Sequence, residues 1–330
     1  MTGSAPLLKV DNLKVRFETP RGPVYGVDGA SFEMREGEIL GIVGESGSGK
    51  SLTLRSILGL PVSGGSVSGR VLWQGRDLIT LNRKALRAIS GREISMIFQE
   101  PMTALNPVLT ISEQICDNLA AHTTLNNEQR HKRAIELLDL VGIADAARRV
   151  GNYPHEFSGG MRQRAMIAIA LAAGPHLLLA DEPTTALDVT IQDQVLKLIL
   201  RLRSELDMSV ILVTHDLGVV AQTCDRVVVM YAGRVVEAGS VRDVFRQPSH
   251  AYTRGLLNSI PAVSGDKRAL SPIPGAPPAP GSRPPGCPFS PRCSFCDAQC
   301  DLVPEMELVG DDHWAACWHY KQVVGSAVST

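Results

Sequence analysis

An α/β fold built around a phosphate-binding loop is what this sequence predicts, and three stretches carry the prediction. Gly44-Glu45-Ser46-Gly47-Ser48-Gly49-Lys50-Ser51 stands between the apolar run Ile39-Leu40-Gly41-Ile42-Val43 and a segment of helical spacing, Leu52 to Leu58. A second apolar run, Leu177-Leu178-Leu179-Ala180, ends in the adjacent carboxylates Asp181 and Glu182. A third, Ser209 to Thr214, is followed by His215-Asp216. Short apolar runs separated by helical segments are the pattern of a buried parallel sheet. Ligands of such sheets gather at the carboxyl ends of the strands, where these polar residues fall.

The first stretch fits G-x-x-x-x-G-K-[ST] in its strand-to-helix context. Its glycines let the backbone wrap so that N–H groups converge on phosphate oxygens. The helix that begins there adds unsatisfied donors and the positive end of its dipole. Lys50 is expected to reach the outer phosphates, and the Ser51 hydroxyl to coordinate Mg²⁺. The chain is therefore expected to bind a nucleoside triphosphate. Asp181 would hold the same Mg²⁺ through its water shell, and Glu182 would polarise an attacking water. His215, at a strand end, is suited to hydrogen-bond the γ-phosphate.

Composition narrows the class. Of 330 residues, 44% are hydrophobic and 20% charged, ordinary globular values that exclude disorder along the whole chain. A net charge of −1 offers no broad attraction to nucleic acid or acidic lipid. Met1 to Pro6 lacks the basic and apolar regions of a secretory signal. The most apolar stretch, Met166 to Ala180, is interrupted by Gly174-Pro175-His176 and falls short of a membrane span. The protein is expected to be soluble and to meet a membrane only through partners.

The remaining elements follow in order. Leu8 to Phe17 places Val10, Leu13, Val15 and Phe17 in a strand-like pattern, and Val24 to Met34 is a second strand beyond the turn Pro20-Arg21-Gly22-Pro23. An antiparallel layer here would cover the base, with Phe17 or Tyr25 stacked on adenine; a core aromatic is the plain alternative for each. A short strand, Gly69 to Trp73, and another, Ile94 to Phe98, lead to Gln99 in a Pro-punctuated loop, from which its amide could reach the metal and still move. Ile111 to Ala147 reads as helical, with Asn127 as a candidate cap. Ser158-Gly159-Gly160 opens a further helix in a form suited to close approach of an anion. Thr184 to Asp188 leads into another.

Taken together these residues resemble the ATP-binding subunit of an ABC transporter, over Leu8 to about Leu257. Gly44 to Ser51 is similar to Walker A, Gln99 to the Q-loop, Ser158-Gly159-Gly160 to the signature, and Leu177 to Glu182 to Walker B. Ala186-Leu187-Asp188 resembles the D-loop and His215 the switch histidine. Phe157 and Met161 depart from the commonest signature, but in the manner of the dipeptide and oligopeptide permease ATPases. His250 to Leu257 and Ile273 to Pro278 also resemble that subgroup's C-terminal motifs. The resemblance implies a P-loop ABC ATPase at 1–257, with an antiparallel β subdomain and a helical subdomain near 101–157, then a Pro-rich connector and Cys-rich extension at 258–330.

By the same resemblance, two such domains pair head to tail. ATP then lies between Walker A of one and the signature Ser158-Gly159-Gly160 of the other, and Asp188 also counts among the nucleotide-binding residues that the resemblance implies. The chain would drive a di- or oligopeptide importer from the cytoplasmic face of a bacterial plasma membrane. Its partners would be a related ATP-binding subunit, two membrane permease subunits and a solute-binding protein. An ABC-type ATPase acting on DNA or the ribosome is the alternative. The single cassette, the lack of a long heptad array and the unremarkable charge argue against it.

Five of the seven cysteines lie near the end of the chain, and Cys287, Cys293, Cys300 and Cys317 form C-x5-C-x6-C-x16-C, with His313 four residues before the last. Without a secretory signal, clustered cysteines point to metal rather than disulfides. Four thiolates suit either a [4Fe-4S] cluster or Zn²⁺, and the resemblance favours iron–sulfur. Cys296 is an extra thiol, either a bystander or a substitute ligand.

Overall fold

The structure, a computed structural model, describes residues 5–60, 62–185, 187–259 and 272–326. Ala186 of the D-loop-like triplet and the first part of the Pro-rich connector lie outside them. The chain forms two compact units, one of residues 1–79 with 214–330 and one of residues 80–213.

The first unit begins with β1 (Leu8–Thr19), β2 (Gly22–Met34), β3 (Ile39–Val43), β4 (Gly65–Trp73) and β5 (Arg76–Asp77). Strands β2-β1-β4-β5 make the expected antiparallel layer. Its buried residues Leu8, Val10, Leu13 and Val15 do not alternate strictly, and the reason is a bulge. The register shifts between Val10 and Leu13, where Asn12 takes φ +48°. The extra residue carries Leu13 back to the core side. β3 is buried throughout, as its unbroken apolar sequence requires, and leads through the phosphate loop into the helix Lys50–Ile57.

The second unit holds three fully buried parallel strands in the order β8-β7-β6: β6 (Ile94–Ile97), β7 (Leu177–Asp181) and β8 (Ser209–Val213). Their Leu/Ile/Val sequences suit a strand covered on both faces. The helical region differs from the expected single stretch. It divides into Ile111–His122, Asn127–Leu140 and Ala146–Arg149, the last two separated by Gly142 at φ +77°. The cap is Asn126, not Asn127. From 126 the carboxamide accepts the Gln129 N–H at 2.9 Å while Gln129 Oε1 accepts the Asn126 N–H, a reciprocal arrangement not available one residue later.

The chain then returns to the first unit with β9 (Arg226–Tyr231), β10 (Arg234–Ser240), β11 (Glu307–Gly310) and β12 (His313–Ala315), in the order β11-β12-β10-β9-β3. β9 lies parallel to β3, and the others are antiparallel to their neighbours. Glu237 of β10, fully buried, accepts the N–H groups of Ser249 and His250 and pairs with His313 Nε2 at 2.7 Å. His313, adjacent in sequence to the cysteine pattern, is thus committed to a carboxylate on the neighbouring strand. The described part of the C-terminal segment closes over β9, where Tyr231, Tyr252 and Phe289 make a tilted and edge-on aromatic trio.

Candidate active site

In the first unit, the phosphate loop has the shape its glycines imply. Gly44 takes φ +152° and Gly49 φ +98°. A Cβ at Gly44 would lie 2.1 Å from the Met230 carbonyl oxygen, and one at Gly49 would lie 2.7 Å from that of Gly26. Neither position admits a side chain. Lys50 is buried, and its ammonium donates to the carbonyls of Gly44 (2.8 Å) and Glu45 (3.1 Å), which curls the loop around the cation. Gly49 is the N-cap of Lys50–Ile57 and no side chain caps that helix.

Ser48 completes the case for an anion. Its hydroxyl is buried and has no hydrogen-bond partner among the described residues. A buried hydroxyl without a partner carries a desolvation cost that a phosphate oxygen would remove. The loop thus fits a triphosphate by its shape, its charge and its orphaned donor. Phe17 and Tyr25 are both half-buried. The Phe17 ring lies beside Gly26 and Gly65, where the missing side chains leave it room. His215 is exposed, and Asp216 next to it caps Leu217–Thr223 by accepting the Gly218 N–H at 2.8 Å.

In the second unit, Asp181 is buried at the end of β7 and Glu182 follows in a left-handed conformation, φ +46°. That conformation is unfavourable for a residue with a side chain and gathers at functional sites. It is held by the Glu182 N–H donating to the Val213 carbonyl at 3.0 Å. The Glu182 carboxylate is oriented on the same oxygen by two donors, Gln99 Nε2 at 3.0 Å and Thr185 Oγ1 at 2.8 Å. Gln99 and Glu182, 83 positions apart, are therefore brought together. Thr185 was not singled out by the sequence, although its place three residues after the carboxylate is within reach of a turn.

Ser158 caps Gly159–Leu171 by accepting the Met161 N–H, and Ser158 and Gly159 are exposed while Phe157 is buried. The aromatic thus anchors the turn and the small residues face outward. Asp188 is also exposed and caps Val189–Glu205 through the Ile191 N–H at 2.9 Å.

The four patterned cysteines belong to one apolar cluster with Tyr231, Tyr252 and Phe289. Cys287 and Cys300 are buried, Cys293 and Cys317 half-buried, and Cys296 exposed. Burial raises the Cys293 thiol to about 12 and the Cys317 thiol to about 11, with smaller upward contributions to both from Cys287 and Cys300. The four are near enough to feel each other's charge, and a metal binding there would have to displace their protons. Beside them Asp297, Cys300 and His319 bring an oxygen, a sulfur and a nitrogen within 4.8 Å of one another. Tyr252, within the His250 to Leu257 segment, and Arg292, which no motif marked, both touch the phosphate loop.

Comparison with known proteins agrees with this geometry. A family model described as "ABC transporter" matches residues 27–185, and one described as "Oligopeptide/dipeptide transporter, C-terminal region" matches 236–300. The chain is 50% identical over 325 residues to the dipeptide transport ATP-binding protein DppD of Bacillus subtilis, covering 98% of this chain and 97% of that protein. It is 47% identical over 313 residues to the oligopeptide transport ATP-binding protein OppD of Haemophilus influenzae, covering 95% and 97%. Among solved structures, it is similar to a dimeric, post-hydrolysis ATP-binding cassette bound to ADP and Pi. The TM-score is 0.64 at 30% identity, covering 71% of this chain and 99% of that one. The family resemblance and the α/β cassette fold read from the sequence are borne out. With its phosphate loop, its carboxylate-ended strand and its cysteine-bearing C-terminal region, the chain belongs to the ATP-binding subunits of ABC transporters, in the oligopeptide/dipeptide group.

Proposed function

We propose that the protein hydrolyses ATP to power an importer of di- or oligopeptides. The observation that carries this reading is the Glu182 carboxylate, held at a strained backbone position by Gln99 and Thr185 in a chain with an intact phosphate loop. The loop N–H groups from Gly44 to Ser51, together with Lys50, bind the phosphates. Ser51, Asp181 and Gln99 would hold Mg²⁺, which when bound neutralises charge on the phosphate oxygens. Glu182 accepts a proton from the attacking water, and His215 steadies that water against the γ-phosphate. Phe17 supplies the adenine platform.

Ser158, Gly159, Gly160 and Asp188 complete the nucleotide site of a second, related ATP-binding subunit. The support is the exposure of Ser158, Gly159 and Asp188 at helix starts, where N–H groups can meet another chain's phosphate. Two permease subunits and a solute-binding protein make up the remainder. No described helix is long and apolar enough to cross a membrane; kinship with a dipeptide transport ATP-binding protein supports a place on the cytoplasmic membrane face, reached through the permease partners. Cys287, Cys293, Cys300 and Cys317 would hold a [4Fe-4S] cluster, which when bound supplies a covalent cross-link between the turns that carry them. The mixed trio Asp297, Cys300 and His319 favours zinc as the second reading.

Glu182→Gln tests the central claim. In vesicles carrying the whole transporter, the variant should bind ATP with unchanged affinity. Its turnover should fall by about 10²-fold or more, as expected for loss of a general base, and peptide uptake should stop. Turnover near that of the unaltered protein would exclude Glu182 as the base.

A further inference from the structure

Glu45, the second residue of the phosphate loop, places a carboxylate beside a site for a polyanion. Left alone, that charge would oppose nucleotide binding through like-charge repulsion. The structure supplies a counter-charge from the far end of the chain. Arg292 lies in a short turn just before Cys293, and its guanidinium meets the Glu45 carboxylate as a fork, Nη1 to Oε2 at 2.7 Å and Nη2 to Oε1 at 3.1 Å. The arginine side chain is 5% exposed and that of Glu45 27%, so salt screens the pair less than it would a pair on the open surface. The guanidinium's other donors are taken by the Pro274 carbonyl at 2.9 Å, the Tyr231 hydroxyl at 3.3 Å and the Gly275 carbonyl at 3.4 Å, which fixes the fork. The Tyr252 hydroxyl accepts the Glu45 N–H at 2.7 Å, and the Glu45 carbonyl accepts from Lys50. One loop residue is thereby held at its amide, its carbonyl and its side chain.

We propose that Arg292 is a positioning residue for ATP binding, neutralising Glu45 and fixing the curve of the phosphate loop from the cysteine-bearing segment. Because it directly precedes Cys293, whatever fixes the cysteine turns also fixes the guanidinium. The inference rests on the nucleotide reading of the loop and adds a distant residue to it.

The two effects separate by steady-state ATPase measurements with Mg²⁺ and ATP on the assembled transporter. Arg292→Gln should raise KM for ATP about tenfold, the size expected for a lost charge-assisted hydrogen bond, and leave kcat within about twofold. Adding Glu45→Gln to that variant should recover most of the loss, because the repelling carboxylate is then gone. Arg292→Lys, which keeps the charge and loses the fork, should fall between. An unchanged KM in Arg292→Gln or Arg292→Lys overturns the proposal. So does a double variant no better than Arg292→Gln, since a purely structural link is not restored by removing its second partner. Failure of the unaltered protein to bind ATP would instead overturn the nucleotide reading, and this inference with it.

Discussion

At Gly44 the backbone runs so close to β9 that no other residue fits, and Gly49 is held against the Gly26 carbonyl in the same way. Gly44→Ala should therefore weaken ATP binding more than tenfold and cost roughly 1–3 kcal/mol of stability, because the loop must move away from the Met230 carbonyl. Lys50→Ala should abolish ATP binding with a smaller effect on unfolding. Titration calorimetry with ATP, beside a denaturation curve for each variant, separates the two. A Gly44→Ala protein with unaltered affinity would show that the tight approach is not what shapes the site. Glu182 is the other residue whose backbone carries information, since its left-handed φ holds a carboxylate where both Gln99 and Thr185 reach it. Both Lys50 and Glu182 were legible in the sequence, because each belongs to a local pattern whose chemistry needs that residue type. Arg292 was not, since its partner is 247 positions away and nothing near it in the chain marks the pairing.

The elements followed their apolar patterns closely for the buried strands β3, β7 and β8, and less closely where polar residues set the boundaries. Asn126 and Thr110 close their helices by reciprocal side-chain bonds that depend on which residue stands at the third helical position. The helix Ala251–Asn258 has a less usual cap: His250, completely buried, accepts the Tyr252 N–H on Nδ1 at 3.1 Å. Burial lowers its pKa from 6.5 to about 3, so the folded chain keeps this imidazole neutral. The unfolded chain takes up a proton below pH 6.5 and the folded chain does not. The contribution of His250 is thus fully present above pH 6.5 and is lost as the pH falls toward 3, at about 1.4 kcal/mol per pH unit. His250→Asn keeps a capping oxygen and removes the titration. Urea denaturation across this range should show a shallower acid decline in the variant, and identical slopes would mean the imidazole is accessible to protons in the folded state.

On the scale of the whole molecule, the cysteine-bearing segment is part of the first unit rather than an appendage of it, packed with the aromatic trio over β9. Which metal it carries is measurable directly. Protein purified without oxygen should be brown with about four irons per chain if the four thiols hold an iron–sulfur cluster, and Cys317→Ala should remove it. A colourless protein with zinc, lost on His319→Ala but retained by Cys317→Ala, would assign the metal to Asp297, Cys300 and His319.

The sequence by itself determined the chemistry of each motif and the strands that present them, because a phosphate loop or a carboxylate-ended strand is specified by neighbours within a few residues. Tertiary structure alone decided that His313 serves Glu237, that Gln99 and Thr185 share one oxygen of Glu182, and that Arg292 answers the charge of Glu45. The first and last of these pairings join positions far apart in the chain, and Gln99 reaches Glu182 across a whole helical region. Burial selects them, since a charge or polar group withdrawn from water must find its partner wherever the fold delivers one.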